Sequence, residues 1–191
     1  EMFYGINFSQ LISIKTNETV SVVPESFFII DLPIHSHEKK ATTIYECFDL
    51  FTQPEYLEGD NAWYNEKTKQ KEDVKKQYSF WKFPNILVIL FKRFSMDGSH
   101  KISDRVDFPL EDLDLSKYVK GYNASKFKYD LYGVCNHVGN VSGGHYTAFV
   151  KNAQNQWNHF NDNRIEKIEK NELIISPSAY CLFYRKKNNL L

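Results

Sequence analysis

The apolar run Phe27-Phe28-Ile29-Ile30 leads into Leu32-Pro33, the pattern of a strand over Ser26 to Ile34 that ends at a proline. The period then changes. Ile44, Cys47, Phe48 and Phe51 recur at helical spacing behind Thr43, Glu46 stands three residues past that cap, and Pro54 stops the helix. Residues 58 to 77 are mostly Glu, Lys, Asn, Gln and Asp, broken by Trp63-Tyr64, and read as a solvated loop leaving the core. Tyr78 to Phe83 and Ile86 to Phe94 read as strands on either side of Pro84-Asn85. The second is so continuously apolar that both its faces should be covered, which makes these the central strands.

Ser95 to Ser99 is a turn, and the even spacing of Ile102, Val106 and Phe108 predicts a strand over Lys101 to Phe108. A hairpin follows, with Tyr129 to His137 and His145 to Lys151 flanking a loop from Val138 to Gly144. Gln156 to Phe160 adds a short strand, Glu169 to Ile174 a helical turn, and Tyr180 to Arg185 a strand that closes the sheet. Strands dominate, helices are few, and regular strand-helix alternation is missing, so the class is α+β with mostly antiparallel sheet.

Composition narrows the partners. Lys+Arg and Asp+Glu both number 24 in 191 residues, and no basic stripe is interleaved with aromatics, so nucleic acid is not an expected partner. No apolar run approaches the roughly 20 residues of a membrane span. The first residues lack the basic and apolar regions of a signal peptide. Cys47, Cys135 and Cys181 are odd in number and far apart, which fits reduced thiols in a cytoplasmic protein.

The candidate chemistry lies in Ser142-Gly143-Gly144-His145-Tyr146-Thr147-Ala148-Phe149. Two glycines allow another backbone to come close, and the histidine that opens the strand has the side chain suited to a general base. A base needs an acceptor for its other ring nitrogen, and the segment from Trp157 to Asn163 supplies an amide and a carboxylate on a neighbouring strand end, either of which could hold the tautomer. Taken alone, a glycine-flanked histidine is more often structural. His35 and His37 beside Glu38 lack a third metal ligand in sequence, His100 and His159 read as exposed side chains, and His137 reads as a structural brace for the glycine loop.

Tyr132-Gly133-Val134-Cys135-Asn136-His137-Val138-Gly139, Gly143-Gly144-His145-Tyr146-Thr147-Ala148, Trp157, Phe160-Asn161-Asp162 and Ala179-Tyr180-Cys181-Leu182-Phe183-Tyr184 together resemble the histidine box of ubiquitin-specific proteases. Phe83 to Phe94 is similar to that family's proline-led strand ending in Lys-Arg-Phe. Lys101, Val106, Asp107 to Leu110, Leu113 to Leu115 and Tyr118 keep its register. The similarity runs from about Phe3 to Tyr184 and comes nearest to the endosomal ubiquitin isopeptidase Y subgroup. The resemblance implies a papain-like fold, with fingers over about 1–82, palm over about 83–187, a tail at 188–191 and no thumb. It also implies hydrolysis of the bond after ubiquitin's C-terminal diglycine, with ubiquitin and ubiquitinated proteins as partners. By the same resemblance His145 is the general base, Asn161 the third triad member and Asp162 the adjacent carboxylate. Gly143, Gly144 and Tyr146 then line the channel for the diglycine tail.

Two departures qualify this. The family's nucleophile sits in an Asn-x-Cys box at a helix N-terminus, where the thiol pKa is lowered, and nothing here matches it. Cys47 falls in the amphipathic helix and Cys135 and Cys181 in strands, so the nucleophile is expected from an upstream segment of the same catalytic domain and this chain alone is expected to be inactive. A relocated nucleophile at Cys135, across the hairpin from His145, is the alternative. Family members also often bear two Cys-x-x-Cys pairs on the fingers. Here Ser13, Thr16, Asn65 and Thr68 hold those positions, all poor zinc ligands, so neither metal nor cofactor is expected. A noncatalytic ubiquitin-binding module, or a papain-like protease for another modifier, are the competing functions.

Overall fold

The computed structural model describes residues 2–36, 39–95 and 97–187. His37, Glu38, the turn residue Met96 and the tail 188–191 lie outside the described residues. In chain order the strands are β1 (Gly5–Ser13), β2 (Thr19–Phe27) and β3 (Ile29–Pro33), then helix α1 (Ile44–Thr52). After it come β4 (Glu55–Leu57), β5 (Trp63–Asn65), β6 (Gln70–Glu72), β7 (Val74–Lys82), β8 (Ile86–Lys92) and β9 (Leu113–Asp114). The last five are β10 (Lys128–Asn140), β11 (Gly143–Lys151), β12 (Trp157–Asn161), β13 (Arg164–Lys167) and β14 (Ala179–Lys186).

They form a four-stranded sheet in the order β2-β1-β7-β4, an eight-stranded sheet in the order β13-β12-β11-β10-β14-β8-β3 with β9 also on β10, and the small β5-β6 hairpin. All pairs are antiparallel except β3 with β8. The expected α+β, mostly antiparallel fold is observed.

Helix α1 begins where its capping residues place it. The Thr43 hydroxyl accepts from the Glu46 amide, and the Glu46 carboxylate reaches back to the Thr43 amide. Its Ile44, Cys47 and Phe48 are buried, and Phe48 meets Phe80, Phe83 and Tyr118 at ring separations of 6.1, 6.1 and 5.0 Å. Phe80 stacks on Phe83 at 4.5 Å and meets Phe27 edge-on at 5.7 Å, so one aromatic cluster joins β2 and β7 of the four-stranded sheet to the helix and to the link that leads into β8.

Four expectations are corrected. Lys101 to Phe108 is not a strand: buried Arg93 takes the carbonyls of Ile102 and Asp104 at 3.0 and 2.8 Å, while Asp107 pairs with the chain just ahead of α1. Val106 and Phe108 are nonetheless buried as their spacing implied. Residues 58 to 77 are not a solvated loop but hold β5, β6 and the start of β7. The hairpin turn depends on Lys69 at φ 57° and on the Asn65 side chain, which accepts from the Lys67 amide. The glycine loop shrinks to Val141-Ser142, because the ladder continues from Val138 opposite His145 to Asn140 opposite Gly143. Finally, β14 does not close the sheet; it runs between β10 and β8.

The Glu46 carboxyl is lowered to about 2, first by the Thr42 backbone amide, then by the Thr42 hydroxyl and Lys39. A depressed carboxyl stabilises the fold above its unfolded value of about 4.5 and loses that contribution as pH falls toward about 2. Glu46→Gln should therefore lower stability at neutral pH and flatten the acid limb between about 4.5 and 2, measured by urea titration at each pH. An unchanged limb would show that the Thr42 and Lys39 contacts of Glu46 carry no such linkage.

Candidate active site

The pairing of β10, β11 and β12 determines which side chains share a face. His145 stands opposite Val138, Thr147 opposite Asn136 and Phe149 opposite His159, so His145, Thr147, Phe149, Asn136 and His159 point to one side. The ring contact of Phe149 with His159 at 4.9 Å and the Asn136 amide on the Thr147 hydroxyl confirm that parity. Asn161 ends β12 with the same parity as His159, and its Oδ1 lies 2.7 Å from His145 Nε2. A carbonyl oxygen only accepts, so Nε2 is the donor, and in the neutral ring the lone pair lies on Nδ1. Nδ1 makes no hydrogen bond among the described residues, and the ring is exposed. This is an imidazole held through one nitrogen with the other open, an arrangement that can serve a general base.

Asp162 is not part of the contact. It is exposed in the turn between β12 and β13 at φ 51°, without a hydrogen bond to His145 or Asn161. Gly143 has open space where a side chain would be, as a close ligand approach needs. The space at Gly144 is filled from within the chain, because a Cβ there would lie 2.3 Å from His137 Nε2 and 2.4 Å from the Val138 carbonyl. Tyr146, 56% exposed, packs its ring on His137 at 4.6 Å.

The opposite face of the hairpin holds residues that the sequence reading left out of the site. His137 is 3% exposed, and besides Tyr146 its ring meets Phe94 at 5.6 Å and Tyr180 at 6.0 Å. Lys101 Nζ lies 3.1 Å from His137 Nδ1 and 2.5 Å from its carbonyl. Placing the hairpin turn at Val141-Ser142 would have put His137 opposite Tyr146 from sequence alone. Nothing in the sequence announced Lys101 or Tyr180 as neighbours.

The thiols lie elsewhere. Burial pushes Cys47 and Cys181 up to about 12 and Cys135 upward as well, so none is a ready thiolate. Cys135 pairs with Ala148, three positions along the ladder from the His145 pair and on the other face, which removes it as a nucleophile reached across the hairpin. His35 bonds Asp104 at 2.6 Å, with Lys40 on the other carboxylate oxygen. His159, expected to be exposed, is half-buried against Phe149.

Hydrogen bonds serve the fingertip positions. Ser13 Oγ accepts from the Thr16 amide, and Asn65 and Thr68 both donate to the Glu72 carboxylate, at 2.9 and 2.6 Å. Among the described residues no cluster of three metal-ligating side chains occurs, and no helix is long and apolar enough to cross a membrane.

The model of one family, ubiquitin carboxyl-terminal hydrolase, matches residues 2–184. The chain belongs to this family. It is 36% identical over 197 aligned positions to ubiquitin carboxyl-terminal hydrolase 9 of Arabidopsis thaliana, covering 97% of this chain and 22% of that protein. It is 37% identical over 159 positions to the human ubiquitin carboxyl-terminal hydrolase 19, covering 77% of this chain and 12% of that one. Among solved structures, the SAGA Ubp8/Sgf11/Sus1/Sgf73 DUB module bound to ubiquitin aldehyde superposes with a TM-score of 0.80 at 29% identity, covering 98% of this chain and 42% of the matched one. The chain thus spans about a fifth or less of these two hydrolases.

Gly144→Ala should cost about 1–3 kcal/mol, since the added methyl would meet the buried His137 ring and the Val138 backbone carbonyl, both of which are held in place by packing and the ladder. Urea unfolding of the variant at wild-type stability would show that the hairpin yields more easily than its packing implies. EDTA should leave the melting temperature unchanged, whereas a drop of several degrees would reveal a metal that these side chains do not account for.

Proposed function

We propose that the chain is the histidine-bearing part of a cysteine-type deubiquitinase, cleaving the bond after ubiquitin's C-terminal diglycine. The observation that carries this is the His145-Asn161 pair, with Nε2 engaged and Nδ1 open. Nδ1 would take the proton of a thiol, the thiolate would attack the carbonyl, and the imidazolium would return the proton to the leaving amine. Water activated by the same nitrogen then resolves the acyl-enzyme. The Asn161 amide orients the ring through both steps without adding charge.

Since Cys47, Cys135 and Cys181 are all poorly placed, the thiol in this scheme comes from a preceding segment of the same domain. Ubiquitin as partner is supported by family membership and by the likeness to a DUB module bound to ubiquitin aldehyde. The resemblance assigns the diglycine tail to Gly143, Gly144 and Tyr146; open space at Gly143, on the His145 face, supports that reading, while the exposed Tyr146 ring lies on the other face of the hairpin. Three cysteines without disulfides accord with a cytoplasmic location, and a fluorescent fusion found in a secretory compartment would overturn it.

The decisive assay is release of a fluorophore from a ubiquitin C-terminal amide. This chain should be silent, and the chain extended upstream through an Asn-x-Cys segment should be active. In that form His145→Ala should lower kcat by several powers of ten, and Asn161→Ala by less. Activity that survives His145→Ala removes the proposed base. Ubiquitin binding without hydrolysis in the extended wild type would replace the enzyme with a recognition module.

A further inference from the structure

His137 is too enclosed and too specifically contacted to be ordinary filler. Its imidazole lies between an ammonium on one ring nitrogen and a glycine on the other. Lys101 Nζ is 3.1 Å from Nδ1, and because an ammonium donates and never accepts, Nδ1 carries the lone pair and the proton is on Nε2. The same ammonium donates to the His137 carbonyl at 2.5 Å and lies 5.9 Å from the Phe94 ring. At the far edge, Nε2 occupies the volume that a Gly144 side chain would need. Gly144 directly precedes His145, so the His137 ring packs against the backbone that leads into His145.

We propose that Lys101 is a positioning residue for the His145 centre: it fixes His137 as the neutral, Nε2-protonated ring that spaces Gly144, and hence His145, so that protonating His137 dismantles the brace. The proposal rests on the reading of His145 as base. Nδ1 cannot be protonated while it receives the Lys101 proton, so an imidazolium at this site would set two cations face to face.

The charges around the ring agree. From the segment after β8, Lys101 faces it, with Arg93 behind Lys101. From β11 and β14 come the neutral phenols of Tyr146 and Tyr180, and Phe94 covers a further side. None of these groups is a carboxylate that would offset a second positive charge. Burial, and then Lys101, hold His137 below the ordinary histidine value. Folding therefore resists this proton: the support is fully present above the unfolded value of about 6.5 and is withdrawn as pH falls below it.

The test is a 15N-histidine NMR titration of this chain, which needs no upstream segment. His137 should show an unprotonated Nδ1 and a protonated Nε2, and should remain neutral below pH 6.5. Lys101→Met should raise its titration midpoint, mix its tautomers and shift the His145 ring signals, while Lys126→Met should do none of these. An Nδ1-protonated His137 in the wild type overturns the proposal without any variant. So does a Lys101→Met spectrum with His137 and His145 unmoved.

In the extended enzyme, Lys101→Met should lower kcat roughly tenfold at neutral pH, as a small displacement of a catalytic group does, and move the acid limb of kcat/KM to higher pH. Unchanged kcat and pH profile would show that the brace does not reach the chemistry. An inactive wild-type extended chain would count against the deubiquitinase reading, while the spectra would still decide the brace.

Discussion

The buried guanidinium of Arg93 holds together the parts from which the site is made. Its Nε donates to the Ala179 carbonyl at 2.7 Å, where β14 begins, and its Nη1 to the carbonyls of Ile102 and Asp104. Those contacts fix the residues just before Tyr180 and just after Lys101, two of the groups enclosing His137. A charge removed from water in this way is tolerated because it meets several carbonyl dipoles, although Nη2 finds no partner among the described residues. The segment from Lys101 to Phe108 thus acquires a defined path without joining a sheet.

Much of the fold could be read from the chain because local signals and burial agreed. The capping box at Thr43 and Glu46, the run from Ile86 and the proline punctuation each name an element that exists. The reading failed where a tertiary contact replaced the ladder. Ile102, Val106 and Phe108 alternate like a strand and turn inward, yet the segment's backbone, at Ile102, Asp104 and Asp107, is bonded to Arg93 and to the approach to α1. Residues 58 to 77 failed in the opposite sense, since charge masked a hairpin whose turn depends on Asn65 and Lys69.

The candidate site was legible as a set of residue types, not as a geometry. By residue type alone the partner of His145 is open between Asn161 and Asp162; the resemblance selects Asn161, and the ladder brings that pair to 2.7 Å. The resemblance adds Asp162 as the family's adjacent carboxylate, but a strand end can aim only one of two consecutive residues at a neighbour, and the left-handed turn takes Asp162 away. Gly144 was read as room for a ligand, whereas His137 already fills that room. Lys101 enters the sequence reading only as part of the family register, and its contact with His137 is not legible because it depends on a loop returning to the hairpin from 36 positions away.

The hairpin carries its two histidines on opposite faces, His137 paired with Tyr146 and His145 paired with Val138. Sliding one strand past the other by a single residue would turn every side chain over, presenting the wrong imidazole where the base belongs. The tight turn works against such an error: Asn140 Oδ1 receives the amides of Ser142 and Gly143, and Gly139, at φ 131°, lies against Gly144 with no space for a Cβ. These glycines act as an indexing pin, giving the chain one way to count its residues across the sheet.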